Sequence, residues 1–436
     1  MADRPPGSRD MVRAARVGLV VLTAMNMLNY VDRYVVPPLL ESIKRSEFHP
    51  TDTQLFSLTS AFLIVYTLSA PLFGTLGDRG SRPRLIAAGV ALWSVATALA
   101  GFARSFGALY LARASVGVGE AAYGTIAPSL LADYFPRSMR GRIFSIFFVA
   151  IPVGSALGYM LGGLVDTHWG WRPAFFAAGL PGLILALVAL GLWDPPRGGQ
   201  DSESGSDSPP DSPTPAPPRP ATTVATYAAL LRNLPYVLTV AGYAAYTFAL
   251  GGLANVMPSF LQRVRGLSEA RATVTFGAIA VTTGLAGTFI GGWLGDYLLR
   301  RTSQAYLWLS GVATLAAAPM IFLALTASQP SWYWTAVVVA EFLMFASTGP
   351  INSAIVNEVS AEMRATAVAL SIFVIHIFGD VPAPTLVGVI SDRSSLGEAV
   401  RILPIAAFLG GVIWVYAARR QSTRVVLSSA TGVKDP

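Results

Sequence analysis

Cysteine is absent from this chain of 436 residues, which excludes disulfides, thiol catalysis and thiolate metal ligands. Histidine occurs only three times, and the chain contains no HExxH, GxSxG or Walker-type lysine loop from which an enzyme could be built. Charged residues are also scarce, at 13% of the chain, against roughly 25% in soluble domains. So few charges cannot cover the surface of a soluble protein. Because the enzyme motifs are missing and metal-binding side chains are few, we also expect no catalytic residues, no metal site and no cofactor.

Apolar residues take the place of the missing charges. The chain is 53% hydrophobic with a mean hydropathy of +0.54, and apolar runs long enough to cross a bilayer recur from end to end. The net charge of +7 does not indicate nucleic-acid binding, because arginine and lysine collect in the cytoplasmic loops of membrane proteins. The sequence therefore predicts an integral membrane protein that does not bind nucleic acid.

Twelve membrane-spanning helices are predicted, so the fold class is an all-α membrane protein. The spans cover residues 17–40, 53–76, 85–103, 107–131, 142–165, 173–193, 235–260, 272–298, 305–327, 332–357, 366–390 and 397–418.

A segment rich in proline, serine and aspartate divides the spans into two sets of six. Its composition cannot bury a core, so it is interpreted as a flexible linker over 195–225. The predicted domains are an N-terminal six-helix bundle over 1–194 and a C-terminal six-helix bundle over 226–436. Deletion of 200–218 is expected to leave folding and transport near those of the parent chain.

The two halves repeat one another in their loops. GTLGDRGSRPR follows the second span and GGWLGDYLLRR follows the eighth, with Asp78 aligned to Asp296. SMRGR after the fourth span likewise pairs with EMRAT after the tenth. Such a parallel duplication of six spans is typical of a secondary transporter.

Arginine and lysine lie mostly in the loops on the side of the two termini. By the positive-inside rule, both termini and the linker are predicted to be cytoplasmic. The predicted location is the cell's inner (plasma) membrane, crossed many times.

The motifs GxLxDRxxR at 74–82 and RxxxGxG at 113–119 resemble the major facilitator superfamily, and the resemblance covers nearly the whole chain. Three further stretches resemble its Spinster branch, a family of lysolipid and sphingolipid transporters. These stretches are LNYVDR, RASVGVGEAAYGTIAPSLLADYFP and HIFGDVPAPTLVGVISD. The resemblance implies the major facilitator fold of two six-helix bundles.

Four charged residues lie inside the first and fourth spans. They are Asp32, Arg33, Arg113 and Glu120. With a rise of 1.5 Å per residue, all four fall within about 10 Å of depth. Adjacent helix residues point about 100° apart, so Asp32 and Arg33 cannot readily pair and each needs a partner on another helix. We therefore expect one buried network of four charges.

The network has two interpretations. It can be a structural pin between the two spans, or it can carry protons, because desolvation favours a protonated carboxyl while a nearby arginine favours the ionised form. The Spinster resemblance implies proton coupling, with Asp32 and Glu120 as the carriers, of which Glu120 is the principal site. Arg33 and Arg113 then modulate them or anchor an anionic headgroup.

The resemblance also assigns a conformational latch to the loop after the second span. Its residues are Gly74, Asp78, Arg79 and Arg82. Asp78 is expected to bond to the other half in the outward-open state, so that Asp78→Asn shifts the resting population toward the inward-open state.

Other candidates come from small and polar residues within the spans. Gly154, Gly158 and Gly162 have the four-residue spacing of close helix packing, and they resemble the superfamily's antiporter motif only loosely. His376 and Asp380 lie one turn apart before two prolines that should bend the helix. His376 can serve a proton or headgroup, or it can be a packed histidine.

A set of polar side chains is also expected at the substrate cavity or a gate. It comprises Tyr123, Tyr243, Tyr246, Asn255 and Asn352.

The predicted function is proton-coupled transport by alternating access, not catalysis. The resemblance implies a lipid-like substrate, such as a lysophospholipid or sphingoid phosphate. A transporter of small organic anions or drugs is the alternative, and a non-transporting receptor or membrane-embedded enzyme is the alternative of another class. The expected partners are the substrate, protons and the bilayer, with the chain acting as a monomer.

Overall fold

A computed structural model describes residues 8–198, 224–359 and 363–431, and within these ranges every regular element is helical. The all-α fold class is thus confirmed. Most of the predicted linker, residues 199–223, and with it the deletion 200–218, lies outside the described residues.

Contacts divide the chain into two compact units. Unit 1 comprises Met1–Pro50, Ala61–Pro213 and Leu267–Gly277. Unit 2 comprises Thr51–Ser60, Thr214–Gly266 and Ala278–Pro436.

Six long helices lie within residues 8–198. They are α1 (Ser8–Arg45), α2 (Asp52–Arg79), α3 (Arg82–Gly101), α4 (Phe106–Tyr134), α5 (Arg137–Trp169) and α6 (Trp171–Ala189).

The described residues from 224 onward form nine α-helices and one π-helical segment. They are α7 (Val224–Arg232), α8 (Leu234–Arg263), α9 (Glu269–Leu299), α10 (Ala305–Thr326), α11 (Pro330–Asn357), α12 (Arg364–Ile375), the π segment (His376–Asp380), α13 (Pro382–Arg393), α14 (Leu396–Ala399) and α15 (Ile402–Thr431).

Eleven helical stretches in the described ranges are long and apolar enough to cross a membrane. The fourth predicted span, 107–131, falls in α4 and is not among them. Arg113, Glu120 and several glycines lower the hydropathy of α4, although its 29 residues exceed the roughly 20 that a span needs. The twelve predicted spans thus all fall on helices, with α4 the least apolar.

Glycines bring α1 and α5 together along their length. A Cβ atom at Gly154, Gly158 or Gly162 would lie 2.5–2.7 Å from a backbone carbonyl oxygen of α1. Only glycine allows the two backbones to approach so closely, so the predicted packing role of this spacing is confirmed. The seam fixes α1, which carries Asp32 and Arg33, within unit 1.

A second close approach orients α4. A Cβ atom at Gly119 would lie 2.5 Å from the carbonyl oxygen of Gly89 on α3. The second glycine of RxxxGxG therefore allows α3 to lie directly against α4, which positions Arg113 and Glu120 beside α1 and α3.

The prolines of the eleventh span interrupt regular α-helix, as predicted. The five residues His376–Asp380 form a π-helical turn, and Val381 N donates to His376 O at 3.1 Å. Pro382, which has no N–H to donate, begins the next α-helix. A π turn inside a long helix is often found at functional sites.

Candidate functional site

The four intramembrane charges of unit 1 form two ion pairs between α1 and α4. Arg113 Nη1 lies 3.2 Å from Asp32 Oδ2, and Arg33 Nε lies 2.6 Å from Glu120 Oε2. Each charge of α1 thus takes its partner from α4, as the 100° separation of neighbouring side chains predicts. The pairing of this network is confirmed.

The two pairs differ in their access to solvent. Asp32 and Glu120 are 0% exposed and Arg113 is 2% exposed, whereas the Arg33 side chain is 19% exposed. Glu120 Oε1 is buried with no hydrogen-bond partner among the described residues. One oxygen of this carboxyl is therefore available to a proton.

Aromatic rings surround the Arg33 guanidinium. Its Cζ atom lies 5.2 Å from the ring centre of Tyr30, 5.1 Å from that of Phe62 and 4.8 Å from that of Tyr66. Cation–π attraction at these distances holds the guanidinium in place. Arg33 thus presents a positive charge framed by apolar ring surface.

Thr97 on α3 completes the Asp32 site and was not predicted. Its Oγ1 donates to Asp32 Oδ1 at 2.7 Å, and both residues are 0% exposed. A threonine in an apolar run is too common to attract attention in the sequence. Only the packing of α3 against α1 reveals its role.

Tyr123 lies one turn beyond Glu120 on α4 but is bonded within the bundle. Its hydroxyl donates to Leu22 O at 2.6 Å, and its ring packs edge-on against Trp93 at 5.5 Å. The side chain is 1% exposed and joins α4 to α1 in this structure. Its predicted part in substrate binding or gating stays a prediction.

The polar candidates of α8 and α11 gather in unit 2. Tyr246 donates its hydroxyl to Met344 O at 2.7 Å, and exposed Asn352 donates Nδ2 to the Tyr243 hydroxyl at 3.2 Å. The two tyrosine rings pack on Trp414 of α15. Tyr243, Tyr246 and Asn352 therefore lie close together, while their roles stay predictions.

His376 and Asp380 pair within the π segment. His376 Nδ1 lies 3.0 Å from Asp380 Oδ1, and both side chains are about one-fifth exposed. A Cβ atom at Gly251 of α8 would lie 2.6 Å from Asp380 Cβ. The pair is thus fixed against α8 at a short distance.

The predicted latch residues occupy different environments. Gly74 is half-buried near the C-terminal end of α2, and Asp78 and Arg79 are exposed on its last turn. Arg82 is 1% exposed and bonds to Asp133 of α4 and to Asp194, the latter at 2.8 Å. In this structure Arg82 therefore connects the start of α3 to α4 and to Asp194 within unit 1.

Residues 195–198 were predicted to belong to the flexible linker, but they are bonded to unit 1. Pro195 O accepts from Arg82 Nη2 at 2.6 Å, and Arg197 Nη2 donates to the carbonyl oxygens of Gly77 and Gly80 at 2.7 Å. Bonding to unit 1 thus continues past the predicted boundary, because arginine side chains bind carbonyl oxygens that the end of a helix leaves unpaired.

Glu341 of α11 is an intramembrane carboxyl that was not among the residues predicted for a site. It is 7% exposed, and its Oε2 has no hydrogen-bond partner within the described ranges. An acid inside an apolar run is the same signal that identified Asp32, so the sequence could have revealed Glu341.

Paired charges inside membrane-spanning helices are typical of transport proteins. The family model of the Major Facilitator Superfamily matches residues 22–384. The chain belongs to this superfamily of membrane transporters.

Curated relatives narrow the assignment. Protein spinster homolog 1 of Bos taurus is 35% identical over 93% of this chain and 82% of its own length, and the Homo sapiens protein is 34% identical with the same coverage. The chain is therefore a member of the Spinster family, a multi-pass membrane transporter and not an enzyme.

Solved structures support the fold. A bacterial homolog of the human lysosomal transporter Spinster, inward-facing and unoccupied, superposes with a TM-score of 0.81 at 24% identity, covering 93% of this chain and 97% of its own. The nucleoside transporter NupG gives 0.69 at 13% identity, covering 92% and 98%. The predicted major facilitator fold is confirmed.

Proposed function

We propose that this transporter couples the movement of protons to the movement of an anionic, lipid-like substrate by alternating access. The observation that carries the proposal is the arrangement of the two ion pairs between α1 and α4. Asp32 and Glu120 are wholly buried, yet each is held by one arginine. A buried carboxyl with a movable counter-charge binds a proton when the arginine withdraws and releases it when the arginine returns.

Glu120 is the proposed principal proton carrier. Arg33 occupies Oε2 of Glu120 and leaves Oε1 without a partner among the described residues. Asp32, in contrast, accepts hydrogen bonds from both Thr97 and Arg113. The ionised form of Asp32 is better satisfied, so Asp32 is proposed to be coupled to Glu120 and not to be the first to load.

Arg33 is the proposed anchor for the substrate's anionic headgroup. It is the only one of the four charges with appreciable exposure, and the rings of Tyr30, Phe62 and Tyr66 frame it. A phosphate can bind the guanidinium, and an acyl or sphingoid chain can follow the apolar rings. A headgroup that displaces Glu120 from Arg33 would also free that carboxyl for protonation, which links the two ligands.

The test is transport by purified protein in liposomes under an imposed pH gradient. Radiolabelled lysophospholipid is the substrate, and albumin extraction reports the leaflet that contains it. Glu120→Gln should abolish accumulation driven by the pH gradient while sparing exchange of label at equal pH. Glu398→Gln, which alters an exposed carboxylate, is the matched control and should behave as the parent chain.

Two outcomes would overturn parts of the proposal. Accumulation by Glu120→Gln with the parent's pH profile would make the carboxyl a structural pin. If the parent chain does not move lysolipid but takes up a small organic anion in the same vesicles, the lipid-like substrate is rejected. Proton coupling is then tested with that anion as the substrate.

The orientation and location are also proposals. We place both termini in the cytoplasm on the strength of the arginine bias of the loops, and we propose the plasma membrane as the location and a monomer as the functional form. Two reporters can be fused after the C-terminus, one that works only in the cytoplasm and one that works only after export. The first should be active and the second inactive. Activity of a reporter that requires export would reverse the orientation.

A further inference from the structure

A second pair of carboxyl groups lies in unit 1, away from the Asp32 and Glu120 site. Asp166 occupies the last turn of α5, and Glu269 is the first residue of α9. The two carboxyl groups contact one another. Asp166 is 6% exposed, and its two oxygens and Glu269 Oε1 are buried without a hydrogen-bond partner among the described residues.

Two ionised carboxylates cannot share such a site. Each oxygen is only an acceptor when ionised, so the contact lacks a hydrogen and the charges repel. Among the charged groups that act on Glu269, Arg45 of α1 attracts its negative charge and Glu41 of α1 opposes it. One proton between Asp166 and Glu269 supplies the missing hydrogen and removes one of the two charges.

The pair lies at one end of a second line of contacts, the seam between α5 and α9. Thr273 lies against Gly163, leaving no room for a Cβ atom there. Further along, the rings of Phe276 and Tyr159 meet edge-on at 5.3 Å. Asp166, Gly163 and Tyr159 recur every three or four residues on α5, and Glu269, Thr273 and Phe276 do so on α9, so each set lies on one helix face. Within this seam, Asp166 and Glu269 are the ionisable acids.

The residues of α9 are shared between the two units. Its first residues, up to Gly277, group with unit 1, and its remainder from Ala278 groups with unit 2. Whatever loosens the seam therefore frees the start of α9 from unit 1.

We infer that Asp166 and Glu269 bind one proton between them, and that this proton keeps the first turns of α9 packed on α5. The site is distinct from Asp32 and Glu120 and does not depend on the proposed proton coupling there. When the pair loses this proton, two negative charges face one another in a buried site. Their repulsion separates the start of α9 from α5.

The test uses single cysteines, since the chain has none of its own. Thr273→Cys is a near-isosteric reporter at a residue that is 0% exposed, and Phe276→Cys is a second reporter should the first fail to fold. The rate of maleimide labelling is measured from acidic to alkaline pH, in the parent chain and with Glu269→Gln or Asp166→Asn added. Each amide supplies an N–H to the remaining carboxyl and cannot lose it.

The same thiol is compared in every background. The negative charges of an ionised pair would disfavour the nearby thiolate and slow its labelling, so faster labelling in the parent background reports opening of the seam. We expect the ratio of the labelling rate in the parent background to that in either amide background to rise by up to about tenfold per pH unit while the pair is losing its proton, because the ionised fraction of a single-proton site changes about tenfold per pH unit below its midpoint. Glu47→Gln, an exposed carboxylate at the same end of unit 1, should match the parent. Equal labelling in the parent and amide backgrounds at every pH would overturn the inference.

An infrared measurement checks the proton directly. At neutral pH the carbonyl stretch of protonated carboxyl groups should lose one component in both Asp166→Asn and Glu269→Gln, and Glu120→Gln should retain that component. A difference spectrum in which either of these two variants loses no component relative to the parent would show that no proton is shared at this site. Neither readout involves transport, so failure here is separate from failure of the proposed function.

Discussion

Thr97 Oγ1 donates a hydrogen bond of 2.7 Å to Asp32 Oδ1 in a region where neither residue is exposed. Thr97→Val keeps the shape of the side chain and removes the donor. We expect it to destabilise the protein by roughly 1–3 kcal/mol, the usual result of removing a partner from a buried polar group. Thermal unfolding in detergent measures the change.

Thr97→Ser is the control for that substitution. It retains the hydroxyl and should recover most of the lost stability. If serine lowers the unfolding midpoint and valine does not, the methyl group and not the hydrogen bond is what matters at this position.

Gly158→Ala should disrupt the seam between α1 and α5. The added methyl carbon would lie 2.7 Å from the carbonyl oxygen of Val31, and backbone atoms cannot move aside. Overpacking of this kind costs about 1–3 kcal/mol. The unfolding midpoint of the purified protein should therefore fall.

Gly292→Ala is the matched control, because a Cβ atom there meets nothing within 4 Å. In a helix interior this change should stabilise by roughly 0.5–1 kcal/mol. A lower midpoint for Gly292→Ala than for Gly158→Ala would contradict the assignment of the tight seam.

Arg82→Gln should destabilise unit 1 strongly. The guanidinium is 1% exposed and bonds to Asp133 and Asp194, so its removal leaves both carboxylates without their cation. Breaking a buried pair in this way costs about 3–5 kcal/mol. Adding Asp133→Asn should restore part of the midpoint, since it removes one of the stranded charges. No restoration would show that Asp133 does not depend on Arg82.

Glu358 makes stability depend on pH at the end of α11. Burial raises the pKa of its carboxyl above the ordinary value, partly offset by a hydrogen bond from Gln421 at 2.9 Å. A carboxyl whose pKa is raised on folding binds its proton more tightly in the folded state. Stability is therefore lost as pH rises from the unfolded value through the folded one.

Glu358→Gln removes this loss. The midpoints of variant and parent should coincide in acid, where the glutamate is protonated in both states, and the variant should become the more stable as pH rises to neutral. Thermal unfolding over a pH series measures the difference, and a constant offset at all pH values would reject the titration of Glu358 as its cause.

The sequence by itself determined the membrane class, the twelve helical segments, the repeat and the existence of a charge network. These follow from local quantities: hydropathy over about 20 residues, the 100° step between helix neighbours and the cost of a lone charge in lipid. The four-residue glycine spacing belongs with them, because the spacing alone defines a helix face.

Tertiary structure decided which arginine holds which carboxylate, that Thr97 supports Asp32, and that Arg82 and residues 195–198 bond within unit 1. It also brought Asp166 to Glu269, which are more than one hundred positions apart in the sequence. Helix periodicity gives the face on which a side chain lies, but not the rotation and shift of one helix against another. Those are set by the packing of side chains from distant segments, such as the glycines that allow α5 to meet α1 and α3 to meet α4.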